Sequence, residues 1–250
     1  MDPIAFEILG VPVRWYGIII SFGLLMATLV AMREAKRVGI KEEDILDLLL
    51  VAVPAAIIGA RIYYVVFNWD YYKGDFMRII NTREGGLAIH GALIASIIVG
   101  IVFCKVKKIK FWKLADLTGP SIILGQAIGR WGNYANGEAH GGPTDLPWGI
   151  IVGGQKVHPT FLYESLWDFG VFLFLLWYRK RKKADGEVFL LYLALYSVGR
   201  FFIEGLRTDS LMYGTIRVAQ LISVITIVIS IVIIVILRKR SLSNNDEICE

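Results

Sequence analysis

Seven long apolar segments dominate this sequence and restrict its fold more than any other feature. They cover approximately residues 13–32, 45–67, 87–103, 114–128, 160–178, 188–204 and 216–237. A helix that crosses a bilayer needs about 20 mostly apolar residues. The hydrophobic content of 56% and the mean hydropathy of +0.57 are also higher than in typical soluble domains. We therefore expect a single all-α integral membrane domain, residues 1–250, with seven transmembrane helices.

The distribution of basic residues predicts the orientation of these helices, because most lysines and arginines lie in every second connection. Segments 33–41, 105–113, 179–183 and 238–240 hold four, five, five and three of the 27 lysines and arginines. Cytoplasmic loops are enriched in lysine and arginine, so we expect the N-terminus outside and the C-terminus in the cytoplasm. The net charge of +5 is then a topology signal. We expect no nucleic-acid partner, since no groove-reading or RNA-binding motif accompanies the charge.

The N-terminal segment and the cysteines set further limits. Residues 1–13 carry Asp2 and Glu7 and lack the basic start of a signal peptide, so we expect the first span to be retained. The two cysteines, Cys104 and Cys249, are too few for a disulfide framework or a metal cluster. We expect Cys104 to be a small buried residue.

Two connections on the expected outer side have distinctive compositions. Residues 68–86 contain four aromatic residues among scattered charges, and aromatic side chains favour the headgroup depth of a membrane. We expect this segment to be an interfacial arm that lies on the outer leaflet. Residues 131–159 are rich in glycine and proline, and we expect them to form a small ordered extracytoplasmic head loop.

The most unusual polar stretch runs from Gly129 to Gly142 between apolar segments. It reads Gly-Arg-Trp-Gly-Asn-Tyr-Ala-Asn-Gly-Glu-Ala-His-Gly-Gly. An arginine, two asparagines, a glutamate and a histidine therefore stand among five glycines. A tightly turning glycine-rich backbone beside an apolar helix suits the capture of a charged group. An ordinary loop with turn-forming residues is the alternative interpretation.

A polar face follows the sixth apolar segment. Its members are Tyr196, Arg200, Glu204 and Arg207. A rotation of about 100° per residue places all four on one side of a helix. Glu204 can pair with Arg200 and with Arg207, which would make a purely structural network. Two arginines and one carboxylate leave one positive charge, which we expect an anionic ligand to balance.

Arginines inside apolar segments are a second sign of a buried site. Placing an arginine in hydrocarbon costs about 2.5–3.5 kcal/mol or more, so such residues usually face an interior cavity and have a partner. Arg61 and Arg200 lie in such segments, and Arg130 lies at the end of one. Glu164 and Asp116, which also lie in apolar segments, are candidate buried partners.

The stretch from Gly129 to Gly142 resembles the signature of the bacterial prolipoprotein diacylglyceryl transferases, Gly-Arg-x-Gly-Asn-Phe-x-Asn-x-Glu-x-x-Gly. The matching residues are Gly129, Arg130, Gly132, Asn133, Asn136, Glu138 and Gly141. Tyr134 replaces the usual phenylalanine, and Ala135 stands where a larger apolar residue is usual. Further elements similar to those of the family follow its order: Trp15-Tyr16-Gly17, Ala60-Arg61, His90-Gly91, His158 to Glu164, and Tyr196 to Arg207.

This resemblance implies which residues act. The implied catalytic residues are Tyr16, His90, Arg130 and Arg200. The residues implied to bind phosphatidylglycerol are Arg61, Arg130, Asn133, Asn136, Glu138, Gly141, Tyr196, Arg200, Glu204 and Arg207. His90 can accept a proton near neutral pH, although a lone histidine is more often a structural hydrogen-bonding group.

The resemblance also implies an activity. The family moves the diacylglyceryl group of phosphatidylglycerol onto the lipobox cysteine of a prolipoprotein and releases glycerol-1-phosphate, which is the first step of bacterial lipoprotein maturation. We expect a monomeric multi-pass protein of the bacterial plasma (inner) membrane that uses no metal and no cofactor. Its expected partners are phosphatidylglycerol, the signal peptides of prolipoproteins and the surrounding membrane lipid.

Other functional classes fit the sequence less well or remain as alternatives. The sequence has no Gly-x-Ser-x-Gly elbow, no His-Glu-x-x-His zinc motif and no Walker loop, which disfavours a serine hydrolase, a zinc protease and an ATPase. A lipid or anion transporter that uses the same arginines is one alternative. A structural membrane protein whose ion pairs only fix helix packing is another.

Overall fold

The computed structural model describes residues 3–8, 10–82, 85–208 and 210–246, and most of them are helical. The helices are α1 (Trp15–Val38), α2 (Glu42–Phe67), α3 (Trp69–Tyr72), α4 (Phe76–Ile80), α5 (Ile89–Lys107), α6 (Phe111–Asn136), α7 (Thr160–Tyr178), α8 (Glu187–Glu204) and α9 (Val218–Asp246). Apart from the short helices α3 and α4, each has a counterpart among the seven predicted spans.

Within the described residues, three short antiparallel hairpins accompany the helices, and the all-α prediction did not include them. Their strands are β1 (Ile4–Ile8) with β2 (Val11–Arg14), β3 (Ile150–Val152) with β4 (Gln155–Val157), and β5 (Met212–Tyr213) with β6 (Ile216–Arg217). The turn between β3 and β4 consists of Gly153 and Gly154, both at positive φ. Glycine adopts this left-handed conformation without a steric penalty, so a two-residue hairpin turn forms there.

Five of the described helices are long and apolar enough to cross a membrane. They are α1, α2, α5, α7 and the part of α9 from Val218 to Leu242. Helix α8 has the length but carries Glu187, Arg200 and Glu204 within 18 residues. Glu187 and Glu204 are buried, at 0% and 2% exposed, so these charges lie inside the protein. Hydropathy alone therefore assigns five of the seven predicted spans.

Helix α6 extends well beyond the span that we predicted for it, 114–128, and it corrects the interpretation of the glycine-rich stretch. Residues 129–136 are helical rather than tightly turning, so the predicted head loop begins at Gly137 instead of 131. Gly132 serves close packing: a Cβ atom at this position would lie 2.9 Å from the ring of Tyr16 on α1. The first left-handed residue of this stretch is Gly137, directly after the helix, where φ is 68°.

The chain forms two compact units. The first consists of Met1–Glu34 and Ala115–Glu250, and the second consists of Ala35–Leu114. In the second unit α2 and α5 pack together at Gly59 and Gly91, since a Cβ atom on Gly59 would lie 2.7 Å from the carbonyl oxygen of Gly91. Small residues of this kind allow membrane helices to approach closely. Cys104 on α5 is buried, as predicted, and Cys249 lies outside the described residues.

The predicted interfacial arm belongs to the second unit, where it contains α3 and α4. The side chain of Arg61 on α2 holds it by four hydrogen bonds to backbone carbonyl groups. The acceptors are Arg78 (2.6 Å), Ile79 (2.8 Å), Gly85 (2.9 Å) and Gly86 (2.9 Å). Arg61 is 7% exposed and is therefore a buried tie between α2 and the arm.

In the first unit α6, α7 and α8 surround an apolar core. Ile123, Leu175 and Val188 are each at most 1% exposed and belong to one cluster. We call one end of this unit the hairpin end, because α6 and α8 end there, α7 and α9 begin there, and all three hairpins adjoin it. The opposite end, which we call the basic end, contains the connection 179–186.

Buried ion pairs and hydrogen bonds join α6 to the connection 179–186 at the basic end. Asp116 on α6 is 6% exposed, lies 2.7 Å from the ammonium group of Lys182, and accepts hydrogen bonds from the backbone N–H groups of Gly186 and Phe189. Asp116 is therefore buried and paired, as predicted, but its partner is a lysine of the connection 179–186 and not an arginine of an apolar segment. Burial opposes the charge of Lys182, but its hydrogen bonds to Asp116 and Asp185 outweigh that effect and raise the pKa of Lys182.

Candidate active site

Glu164 on α7 is the centre of an ion-pair cluster near the hairpin end of the first unit. Its Oε2 atom lies 2.7 Å from Nε of Arg130 on α6. Its Oε1 atom lies 3.2 Å from Nη1 of Arg200 on α8 and 3.5 Å from Nη1 of Arg207. Glu164 is only 4% exposed. One buried carboxylate thus contacts three guanidinium groups, which confirms its prediction as a partner of intramembrane arginines.

Helix α8 contributes a second carboxylate and a hydroxyl group. Nη2 of Arg200 lies 2.6 Å from Oε2 of Glu204, so the predicted pair at i,i+4 forms. Arg130 donates a hydrogen bond from Nη2 to the hydroxyl group of Tyr196 at 3.1 Å. The second pair of that network, Glu204 with Arg207, is not formed among the described residues, because α8 ends at Glu204 and Arg207 beyond it lies 3.5 Å from Glu164.

Asp168 adds a third carboxylate, which sequence reasoning missed. It follows Glu164 by one turn of α7, is 2% exposed, and has its Oδ2 atom 4.0 Å from Nε of Arg130. Helix α7 thus supplies two carboxylates, Glu164 and Asp168, that the count of charges on α8 alone did not include. Arg217, whose Nη1 atom donates to the carbonyl oxygen of Glu204, adds a fourth arginine beside them. The expected excess of positive charge therefore stays a prediction. The available signal was a second acidic residue at i+4 in an apolar span.

Neighbouring contacts fix α6 against α7 beside Glu164. Trp131 donates from Nε1 to the hydroxyl oxygen of Ser165 at 3.1 Å, and Ser165 donates to the carbonyl oxygen of Ala127 at 2.8 Å. The rings of Trp131 and Phe161 also meet edge to face, with centroids 5.4 Å apart. These contacts hold Arg130 and Glu164 in register, because each is adjacent in sequence to a residue of this chain of contacts.

The remaining signature residues lie at the end of α6 and in the connection that follows. The N–H group of Glu138 binds the carbonyl oxygen of Asn133, and the side chain of Asn136 donates to Glu138 at 3.1 Å. Gly141 pairs with Arg207 as an isolated β-bridge. A Cβ atom on Gly141 would lie 2.9 Å from the carbonyl oxygen of Leu206, so only glycine allows this close approach. The signature thereby positions the backbone of Arg207.

Within the described residues, Tyr16, Arg61 and His90 take no part in the ion pairs of Glu164. Tyr16 is the second residue of α1 and packs against Gly132, and it is 40% exposed. Arg61 and His90 belong to the second unit. Arg61 uses its donors on the arm, while His90 is exposed and stacks on Tyr63 with ring centroids 5.8 Å apart.

The cluster is suited to bind an anion that carries several oxygen atoms. Guanidinium groups present planar pairs of donors that match phosphate and carboxylate geometry. Donors fixed in a water-poor site stabilise negative charge more strongly than they would in water. A phosphate group could therefore take over contacts that Glu164 and Glu204 make with the arginines.

Comparisons with known proteins agree with these features. The family model described as prolipoprotein diacylglyceryl transferase matches residues 3–236. A protein from Clostridioides difficile is 56% identical over 247 residues, covering 99% of this chain and 100% of its own length. Relatives from Finegoldia magna and Bacillus cytotoxicus are 52% and 53% identical, covering 99% and 96% of this chain and 100% and 93% of their own lengths. All three are named phosphatidylglycerol–prolipoprotein diacylglyceryl transferase. The chain belongs to the prolipoprotein diacylglyceryl transferase family.

Proposed function

We propose that this protein transfers the diacylglyceryl group of phosphatidylglycerol to the lipobox cysteine of prolipoproteins, as the first step of bacterial lipoprotein maturation. The names of its relatives give the lipid donor and the protein acceptor. The products are a thioether on the cysteine and glycerol-1-phosphate. The observation that carries the proposal is the buried cluster of Arg130, Arg200 and Arg207 around Glu164, because an anionic lipid headgroup needs such donors.

The bond changes show where these residues act. The cysteine sulfur forms a bond to the terminal glycerol carbon of the diacylglyceryl group, and the bond from that carbon to a phosphate oxygen breaks. The electron pair stays on the phosphate, which becomes a monoester and gains negative charge. Arg130 and Arg200 bind the phosphate and stabilise this charge in the transition state. The arginines stabilise the transition state more than they stabilise the bound lipid, because the phosphate is more negative in the transition state. Only such a difference in stabilisation accelerates a reaction.

The acceptor thiol must lose its proton, since the thiolate is the nucleophile and a free thiol has a pKa of about 8.5. We assign the role of proton acceptor to His90 on the family resemblance. Tyr16, Asn133, Asn136, Glu138 and Gly141 stay in the proposal as residues that bind or orient the headgroup, on the same basis. Arg61 contributes by holding the arm, because its four hydrogen bonds already engage its guanidinium group.

The proposed reaction requires a defined arrangement in the membrane. We propose that all seven long helices cross the bacterial plasma membrane and that the protein acts as a monomer. The hairpin end then faces outward, and the basic end faces the cytoplasm, in accordance with the distribution of lysine and arginine. This orientation gives the Glu164 cluster access to the outer leaflet, where the signal peptide of a prolipoprotein presents its cysteine after export.

A reconstituted reaction tests the proposal. Purified protein in detergent is mixed with phosphatidylglycerol and a synthetic lipobox peptide, and the peptide is examined by mass spectrometry. We expect a diacylglyceryl adduct on the cysteine with wild-type protein and none with Arg130→Ala. Arg179→Ala is a matched control, because Arg179 pairs with a buried glutamate, Glu34, at the basic end.

The alternatives predict other outcomes in the same experiment. Well-folded protein that binds the lipid and forms no adduct would favour a lipid transporter. Retained turnover in a His90→Ala variant would remove the assignment of His90 as the proton acceptor. Full activity in Arg130→Ala would show that the ion pairs serve helix packing alone.

A further inference from the structure

The last turn of α8 ends in a tight backbone turn, residues 205–207, which we call the α8 turn. The last four carbonyl groups of an α-helix have no partner within the helix, so each needs a donor from elsewhere. In α8 they belong to residues 201–204. Those of Phe202, Ile203 and Glu204 accept hydrogen bonds from the backbone N–H groups of the α8 turn. Each donor lies three residues after its acceptor, which is the tighter 3₁₀ arrangement.

This arrangement leaves the carbonyl oxygen of Phe201 without a backbone donor among the described residues, and a side chain of α9 supplies one. The side-chain amide of Gln220 donates to Phe201 at 3.0 Å. Arg217, directly before α9, donates from Nη1 to the carbonyl oxygen of Glu204. A cation at the C-terminal end of a helix is also favoured by the helix dipole. We call Arg217 and Gln220 the α9 clamp, because both hold the last turn of α8.

The glycine-rich signature holds the α8 turn a second time. The N–H group of Gly142 binds the carbonyl oxygen of Leu206 at 2.9 Å, and Gly141 forms its β-bridge with Arg207. The signature and the α9 clamp thus fix the turn together. Its last residue is Arg207, which lies 3.5 Å from the carboxylate of Glu164. The position of this guanidinium group therefore depends on both sets of contacts.

The α9 clamp has no other task in the proposed reaction. Neither Arg217 nor Gln220 belongs to the sequence elements that resemble the family, and neither contacts Glu164 in the part of the chain that the structure describes. Loss of either donor leaves a carbonyl group of α8 without that partner, so the last turn can loosen. Hydrogen bonds to phosphate weaken steeply with distance and angle, and a displacement of about 1 Å can cost much of the benefit of a positioned group.

We propose that Arg217 and Gln220 are positioning residues, which clamp the end of α8 and thereby hold Arg207 where it binds the phosphate of phosphatidylglycerol. They act through Arg207 and do not touch the reacting atoms. This inference rests on the proposed function, because it concerns the same lipid and the same cluster of arginines.

Steady-state kinetics with each substrate varied in turn tests the clamp. Full-length protein in detergent is supplied with phosphatidylglycerol and a synthetic lipobox peptide. For Gln220→Leu and for Arg217→Met, which remove the donors at similar side-chain size, we expect the KM for phosphatidylglycerol to rise about tenfold. The KM for the peptide should not change. Arg217→Lys keeps an N–H donor and should restore most of the affinity for the lipid.

Ser223→Ala is the matched control on the same helix. The hydroxyl group of Ser223 donates to the carbonyl oxygen of Ala219 within α9, and the residue is 3% exposed. Its loss removes a hydrogen bond of α9 without touching the end of α8, so both KM values should equal those of the wild type. A purely structural role of the clamp would reduce the amount of folded enzyme, which lowers kcat and leaves both KM values unchanged.

A double-mutant cycle shows whether the clamp acts through Arg207. Arg207→Gln should raise the KM for phosphatidylglycerol, and the addition of Gln220→Leu should then raise it no further, because the group that the clamp positions is already lost. Multiplication of the two single effects would overturn the inference. An unchanged KM for phosphatidylglycerol in Gln220→Leu would overturn it as well, and this variant carries the test if Arg217→Met folds poorly.

The two proposals fail in different ways. If the diacylglyceryl adduct forms and the clamp variants bind the lipid as the wild type does, the positioning role is wrong and the transferase function stands. If wild-type protein forms no adduct, the transferase function is wrong and this inference falls with it.

Discussion

At the scale of single residues, the arrangement around Glu164 depends on the shape of the guanidinium group. Arg200 contacts Glu164 through Nη1 and Glu204 through Nη2, so one side chain joins α7 to its own helix. A guanidinium group is planar and carries five N–H donors in a fixed geometry. Lysine places its charge on one nitrogen atom and cannot reproduce two such contacts in the same plane.

Replacing Arg200 by lysine tests this dependence. We expect Arg200→Lys to reduce the rate of diacylglyceryl transfer at least about tenfold, which corresponds to about 1.4 kcal/mol of transition-state stabilisation. The matched change is Arg179→Lys, which alters the arginine paired with Glu34 at the basic end and should leave the rate close to that of the wild type. Equal rates for Arg200→Lys and wild-type protein would show that the charge at position 200 suffices.

Gly132→Ala tests the contact between α6 and Tyr16. The added methyl group would lie 2.9 Å from the tyrosine ring, so the ring must move. We expect a lower transfer rate with a largely unchanged thermal unfolding temperature, because Tyr16 is 40% exposed and has room to move. Gly170→Ala on α7 is the control: a Cβ atom there meets no atom within 4 Å. A normal rate in Gly132→Ala would argue against a precise position for Tyr16.

Part of the site could be predicted at this scale. Helical spacing alone gave the pair of Arg200 with Glu204, because residues four apart on a helix are neighbours. The contacts of Glu164 with arginines from α6, from α8 and from beyond α8 depend on tertiary packing, which residue spacing within one segment does not contain. Asp168 differs, because its spacing of four residues from Glu164 within one apolar span was a signal that the sequence offered.

At the scale of helices and connections, Arg61 shows how one buried side chain can organise a whole segment. Its four hydrogen bonds reach carbonyl groups at two places in the arm, 78–79 and 85–86. Composition predicted the arm as a separate segment but not its attachment to Arg61, because every residue has a backbone carbonyl group and the sequence does not show which of them accept a hydrogen bond.

The glycines of α6 led to a wrong prediction. Turns and close helix packing both favour glycine, and only the structure shows that Gly132 serves packing.

Arg61→Lys should loosen the arm. An ammonium group has three N–H donors and cannot reach four carbonyl groups, so two or more of the hydrogen bonds are lost. We expect the free energy that holds the arm on α2 to fall by about 1–3 kcal/mol. Limited digestion by chymotrypsin, which cleaves after the aromatic residues of the arm, should become faster. In the control, Arg78→Lys, the altered side chain is 58% exposed and paired with Asp75, so digestion should hardly change. Equal digestion of Arg61→Lys and wild-type protein would contradict this role.

At the scale of the whole molecule, the number of membrane crossings depends on α6 and α8. Hydropathy does not select them, since charged and polar residues on both helices lower their apolar character. Several of these charges are neutralised by contacts inside the first unit, such as Asp116 with Lys182 and Arg200 with Glu204. The apolar segments predicted seven crossings, and the alternation of the basic connections supports that number, because it depends on residues in the connections and not on how the helices pack.

Labelling of single cysteines determines the topology. In a background without Cys104 and Cys249, the positions Lys110, Lys156, Lys183 and Tyr213 are each replaced by cysteine. We expect an impermeant maleimide to label positions 156 and 213 in intact cells, and positions 110 and 183 only after permeabilisation. Labelling of positions 110 and 156 from the same side would show that α6 does not cross the membrane. Labelling of positions 183 and 213 from the same side would show that α8 does not cross it.

The central claim is that the glycerol carbon bonded to phosphate in phosphatidylglycerol becomes bonded to sulfur. Phosphatidylglycerol labelled with one isotope in its diacylglyceryl glycerol and another in its headgroup glycerol tests this directly. We predict that the peptide thioether carries only the first label, and that released glycerol phosphate carries only the second, in equal amounts. A peptide that acquires a fatty acyl group without the labelled glycerol, or lipid that remains intact throughout, would contradict the account.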